Sequence, residues 1–177
     1  MLTPACSEVS RAVANPRESS TCVIGIDPGQ TSGLAVLSAA GEISLLVEVP
    51  IISDRRITRI DGGAFHSLLV KAVAGRPARA IVERISIGKA RGIPGAFVIG
   101  VDYGAILGVL QALYIQTEFI KARRWKPAMS AGRGGRCLDE ARRLYPCADL
   151  FKDDGPAAEA RAGALLLAHY ALHRSAA

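Results

Sequence analysis

Cys22-Val-Ile-Gly-Ile-Asp27-Pro28-Gly29-Gln30-Thr31 places an acid at the end of a continuous apolar run, and Arg79-Ala-Ile-Val-Glu83 repeats the device 56 residues later (27 to 83). Runs of this length, rich in Val and Ile, read as buried strands. Pro28-Gly29 turns the chain sharply behind the first acid and leaves Asp27 at the end of a sheet. If the two strands are parallel neighbours, Asp27 and Glu83 emerge at one crevice. Each acid also has a purely structural reading, Asp27 as a turn residue satisfying nearby amides and Glu83 as an ion-pair partner of Arg84 or Lys89.

Working outward, residues 33–38 and 43–49 read as two further strands, with Gly41 in the turn between them. Phe65, Leu68, Leu69, Ala72 and Val73 are spaced for a helix over 61–74, which Gly75-Arg-Pro77 stops. The strand 79–83 is followed by a glycine-rich loop from Ser86 to Gly95, then a helix at 96–113, a fifth strand at 116–120 and a short helix at 135–145. Asp154-Gly-Pro156 supplies a cap acceptor and an early proline for a last helix running towards His173. Three strands, helix, strand, helix, strand, helices is the order of an α/β ribonuclease H-like fold, with a central five-stranded mixed sheet flanked by helices.

The segment Gly95–Leu113 is almost wholly apolar, but Asp102 in its middle would be costly in lipid, so a buried helix is expected. Its Gly100, Gly104 and Gly108 form a smooth face that suits packing on the sheet or contact with a second copy.

With 177 residues, half of them hydrophobic, the chain has room for one substantial core and not for two large domains. A formal charge of +6 and a pI near 9.5 favour an anionic partner, nucleic acid foremost. Cys6, Cys22, Cys137 and Cys147 lack zinc-type pairing, and reduced cysteines in a cytoplasm are the expectation. Residues 1–20 mix Pro, Ser, Asn and charges without periodicity and read as a disordered leader, not a signal peptide.

A third acidic group, Asp153, Asp154 and Glu159, opens the last helix. Asp154 sits at its cap and Glu159 about a turn on; Asp153 is the alternative to Asp154 as a ligand, and Asp154 has a second reading as a cap alone. Carboxylates without clustered His or Cys suit Mg²⁺ or Mn²⁺. Two such ions about 4 Å apart would support in-line attack of water on a phosphodiester.

Between Phe119 and Leu138 stand Lys121, Arg123, Arg124, Lys126, Arg133 and Arg136 with no acid, a run suited to tracking phosphates or to a solvated face. Lys126 is placed to offset charge at a reacting phosphate. Trp125 reads as core or as a base-stacking platform. Lys89 and Arg91 add cations after Glu83, and Ile93 or Phe97 suits either a wedge into distorted DNA or the core.

These residues resemble the RuvC family of Holliday-junction endonucleases, particularly the short RuvC-like proteins of bacteriophages and prophages, over about residues 22–172. Gly-Ile-Asp27-Pro-Gly is similar to the family's first catalytic motif, Ile-Val-Glu83-Arg to its second, and Tyr103-Gly-Ala-Ile-Leu-Gly108-Val-Leu to the helix that follows. Arg124-Trp125-Lys126 is similar to a Trp-Lys motif placed before the last acids. The resemblance implies a nuclease domain over 21–174, catalytic and metal-binding Asp27, Glu83, Asp154 and Glu159 with Lys126 beside them, and a homodimer that nicks a four-way DNA junction symmetrically in a bacterial or phage-infected cytoplasm. It departs at the end, where Gly163 stands before Ala-Leu-Leu-Leu-Ala168 in place of an acid and Glu159 lies one turn earlier. An RNA-processing nuclease of the same fold and a catalytically silent junction-binding module are the alternatives. Asp27-Pro-Gly-Gln-Thr31 also resembles the phosphate loop of actin-like ATPases, but 177 residues leave no room for their second domain.

Overall fold

In a computed structural model, residues 21–29, 31–53, 58–85, 92–131, 136–150 and 155–174 are described; the expected leader over 1–20 lies outside them. The chain runs β1 (Cys22–Asp27), β2 (Gly33–Leu37), β3 (Ile43–Glu48), β4 (Ile51–Ser53), β5 (Thr58–Ile60), α1 (Gly62–Val73), β6 (Ala78–Glu83), α2 (Gly92–Ala112), β7 (Gln116–Ile120), α3 (Ala122–Trp125), α4 (Cys137–Leu144) and α5 (Pro156–Arg174). Five strands form one mixed sheet in the order β3-β2-β1-β6-β7. β1 pairs antiparallel with β2 and parallel with β6, and β7 extends the sheet parallel to β6. This is the mixed, helix-flanked sheet that the order of elements implies.

Strand periodicity decides what each face carries. Ile24, Ile26, Leu34, Val36, Ala80 and Val82 point to one side and pack with Phe65 and Leu69 of α1 and Ile106 and Leu110 of α2. Val23, Ala35, Leu37 and Ile81 point to the other side, against α5 and α4. Gly25, Asp27 and Gly33 fall on this second face by the same alternation. α5 lies so close to it that a Cβ on Gly25 would meet the Ala164 carbonyl oxygen at 2.1 Å, and one on Gly33 the Ala160 carbonyl oxygen at 1.9 Å. The Ala-rich stretch of α5 is therefore a fit to the sheet as well as a good helix former.

Residues 51–60, to which the sequence reading assigns no element, form a small β4–β5 hairpin, tied to α2 by the Asp102 carboxylate, which accepts the Ile60 amide at 2.9 Å. That bond also explains a carboxylate in an apolar helix. One expectation needs correction: α2 is not a buried helix, since only Ile106 and Leu110 are fully buried, and Cβ atoms on Gly100, Gly104 or Gly108 would meet nothing within 4 Å. The glycine face does not pack on the sheet. By length and composition, α2 is the one helix among the described residues able to cross a bilayer, although here its inner face is packed on the sheet. α2 also begins at Gly92, a turn earlier than its sequence suggests.

Candidate active site

Parallel pairing with Ile26 opposite Val82 puts Asp27 and Glu83 side by side at the ends of β1 and β6, the crevice expected of parallel neighbours. Both side chains face α5. After β7, the chain turns through α3 and a 3₁₀ turn at Pro127–Met129, which carries Trp125 and Lys126 over the two acids. Trp125 is fully buried. Its indole Nε1 donates to Glu83 Oε2 at 2.8 Å, and Lys126 Nζ lies 3.7 Å from the same oxygen. Of the two readings of Trp125, core is the one adopted, with its polar edge used to aim Glu83.

Asp27 is strongly perturbed. Burial, with Glu83 beside it, pushes its carboxyl up to about 7, against a smaller opposing pull from Lys126. Burial disfavours the Lys126 ammonium, but Glu83, Cys137, Asp27 and Glu159 together outweigh it and raise its pKa. Lys126 is therefore a fixed cation between acids. Burial pushes the nearby Cys137 thiol up to about 12, so it remains protonated and acts as packing. Sequence reasoning gave Cys137 no place in the site.

α5 closes the site from above. A Cβ on Gly163 would stand 2.0 Å from Asp27 Oδ2, so glycine here makes room for the first acid. One turn earlier, Glu159 accepts the amides of Cys137 at 2.8 Å and Leu138 at 3.2 Å, with Arg136 Nε 3.8 Å away. Arg136 occupies the N-cap position of α4 with no side-chain cap bond, and the Glu159 carboxylate serves that helix end in its place. Its charge still reaches Asp27. Asp153 and Asp154 lie outside the described residues, as do Lys89, Arg91 and Arg133.

Among the described residues, no group of three His, Cys, Asp or Glu side chains is arranged to hold a metal ion. The donor chemistry of Asp27 and Glu83 nevertheless fits a hard divalent cation: two carboxylates at adjacent strand ends present oxygens alone. Beside them opens a cavity of about 590 Å³ lined by Pro28, Glu83, Arg84, Lys121 and Arg123. Arg123 and Arg124 are exposed on α3, while Arg136 is drawn to Glu159. Lys121 and Arg123 belong to the basic run that the sequence offers for tracking phosphates, whereas Arg84 has no such reading in the sequence; its signal is position, directly after Glu83. Phe97 and Ile93 are 71% and 87% exposed, on the outer side of α2 and not in the core.

No protein-family description and no curated protein sequence matches the chain. Solved structures do. RuvC of T. thermophilus in complex with a Holliday junction substrate superposes with a TM-score of 0.61 at 19% identity, over 88% of this chain and 96% of that one. Thermus thermophilus RuvC in a second structure gives 0.54 at 17% identity over the same shares. At these identities the likeness establishes that the fold is the ribonuclease H-like fold of RuvC.

Proposed function

We propose that the protein is a divalent-metal-dependent endonuclease that resolves four-way DNA junctions by hydrolysis. The observation that carries this reading is the pairing of Asp27 and Glu83 on parallel neighbouring strands, with Lys126 beside Glu83 and a groove of Arg84, Lys121 and Arg123 alongside. The fold shared with a RuvC bound to a junction supports the choice of substrate.

Asp27 and Glu83 would hold Mg²⁺ or Mn²⁺, which when bound supplies activation of water and stabilisation of the leaving oxygen. Trp125 fixes one Glu83 oxygen and so the direction of the other. Lys126 offsets charge developing on the phosphate, and Arg84, Lys121 and Arg123 hold the flanking backbone. The exposed outer face of α2, with Phe97 and Val101 beside Gly104 and Gly108, supports a homodimer. Two copies would set two sites for paired nicks.

The test is cleavage of a labelled immobile junction beside matched duplex, single strand and RNA–DNA hybrid, in Mg²⁺ and Mn²⁺, with the Asp27→Asn variant in parallel. Paired nicks in the junction alone, lost in the variant, are expected. Preferential cutting of RNA would overturn the substrate. One observation favours a second reading, a silent junction-binding module: Gly163, the residue of α5 set against Asp27, carries no side chain, so α5 offers no carboxylate at that position. Tight junction binding without metal-dependent cutting would select it.

A further inference from the structure

The groove at Glu83 does not end at the carboxylates. Arg84 and Ile85 also border a second cavity, of about 400 Å³, between α2 and β7, with Ile99, Gly100, Tyr103 and Phe119 among its other walls. The Tyr103 and Phe119 rings stand 6.1 Å apart, tilted by 50°, and Phe119 is 44% exposed although large and apolar. The Tyr103 hydroxyl is buried and has no hydrogen-bond partner among the described residues, an arrangement that is costly unless another group completes it. Burial raises the Tyr103 pKa, which keeps the proton available. A smaller cavity of about 100 Å³ shares Ile85, Ile99 and Tyr103 and reaches the Pro28-Gly29 turn behind Asp27.

These walls offer flat apolar surface, one hydrogen-bonding group at depth, and one cation at the mouth on the side of the carboxylates. A nucleotide has the matching parts: a base with two π faces, a polar edge and a phosphate. The nuclease reading supplies the strand, since Arg84 lines both this cavity and the groove at Glu83. We propose that the cavity between α2 and β7 receives one unstacked DNA base, from a nucleotide beside the phosphate held at Glu83. A second copy is the less suitable occupant, because Ile99 and Tyr103 belong to the sheet-facing side of α2, away from its exposed Phe97 and Val101.

The proposal rests on the nuclease reading, and the experiment separates the two. The full chain is mixed with a four-way junction carrying 2-aminopurine at each nucleotide flanking the nick mapped for the wild type. Gly100→Leu fills the cavity from a position where a Cβ meets nothing within 4 Å, and Phe119→Ala removes a wall from an exposed site. The wild type should change 2-aminopurine emission severalfold at one flanking position. Gly100→Leu should abolish that change and slow nicking roughly tenfold or more, and Phe119→Ala should weaken both, while binding of plain duplex stays as in the wild type. A folded Gly100→Leu protein with wild-type emission and nicking overturns the proposal. So does altered sedimentation with unaltered emission, which would assign the cavity to a second copy. If the wild type neither binds nor nicks the junction, the nuclease reading falls and takes the base site with it; if it nicks and both variants match it, the base site alone falls.

Discussion

Replacing Asp27 with Asn should stabilise the protein at neutral pH and do little in acid. The Asp27 carboxyl is raised from 3.8 to about 7, first by burial and then by Glu83. A rise of about 3 pH units corresponds to about 4 kcal/mol at about 1.4 kcal/mol per unit. The sign follows from proton binding. Below pH 4 the group is protonated in both folded and unfolded chains, and its contribution to stability is complete. Between pH 4 and 7 the folded chain holds the proton more tightly, so stability falls as pH rises, and above 7 the loss is complete. Asn carries no charge at any pH. The stability difference between Asp27→Asn and wild type should therefore grow by about 4 kcal/mol from pH 4 to pH 8, about 8–16 °C in Tm for a chain of this size. The assay is urea or thermal unfolding of both proteins across that range in chelator, with the difference at each pH removing every other titrating group. A difference that stays constant with pH would refute the reasoning. Added Mn²⁺ should shrink it at pH 8, because a cation on Asp27 and Glu83 stabilises the charged form of the wild type alone.

Lys126→Met removes the ammonium 3.7 Å from Glu83; nicking should fall roughly a hundred- to a thousandfold with junction affinity changed far less, and equal losses in both would place Lys126 in binding. Trp125→Phe keeps most of the buried ring but loses the 2.8 Å bond to Glu83, so the midpoint of a Mn²⁺ activation curve should move roughly 10- to 100-fold with saturated rate near wild type; an unmoved midpoint would remove Trp125 from the site. Gly25→Ala drives a Cβ into the Ala164 carbonyl oxygen and the Ala168 amide nitrogen and should destabilise by about 3 kcal/mol in urea unfolding. Gly104→Ala, with open space around it, should be neutral or stabilising by up to about 1 kcal/mol, and similar values for the two would discredit the close seating of α5.

Half of the site was legible because strands report their own geometry. The apolar runs before Asp27 and Glu83 identify both strands, and two acids at equivalent ends of parallel neighbours must meet. Lys126 was legible as part of a run without acids, although that run does not foretell the turn at Pro127–Met129 that carries Lys126 back over Glu83. The role of Trp125 was not legible, since a buried indole and a stacking indole look alike in sequence and only the 2.8 Å bond distinguishes a residue that aims a carboxylate. α2 misled for a related reason. Composition makes it a core helix, yet apolar residues on all sides are equally compatible with one face on the sheet and another left exposed, and the open glycines show that this is its arrangement.

The third carboxylate is where sequence and structure diverge most usefully. Gly163, read in sequence as an acid lost, is in the structure the space that the Asp27 carboxylate fills, and any side chain there would collide with Oδ2. With Asp27 so placed, a third acid from α5 has to come from another turn of the helix. Glu159 is one turn back and is electrostatically coupled to Asp27, yet both its oxygens accept amides at the start of α4. A carboxylate has lone pairs enough to accept two amides and still face a cation, so the cap and the site need not exclude each other. They are linked instead: whatever strengthens the hold of α4 on Glu159 fixes its distance from Asp27. The N-terminus of the short helix thereby holds Glu159 in place, one turn from Gly163.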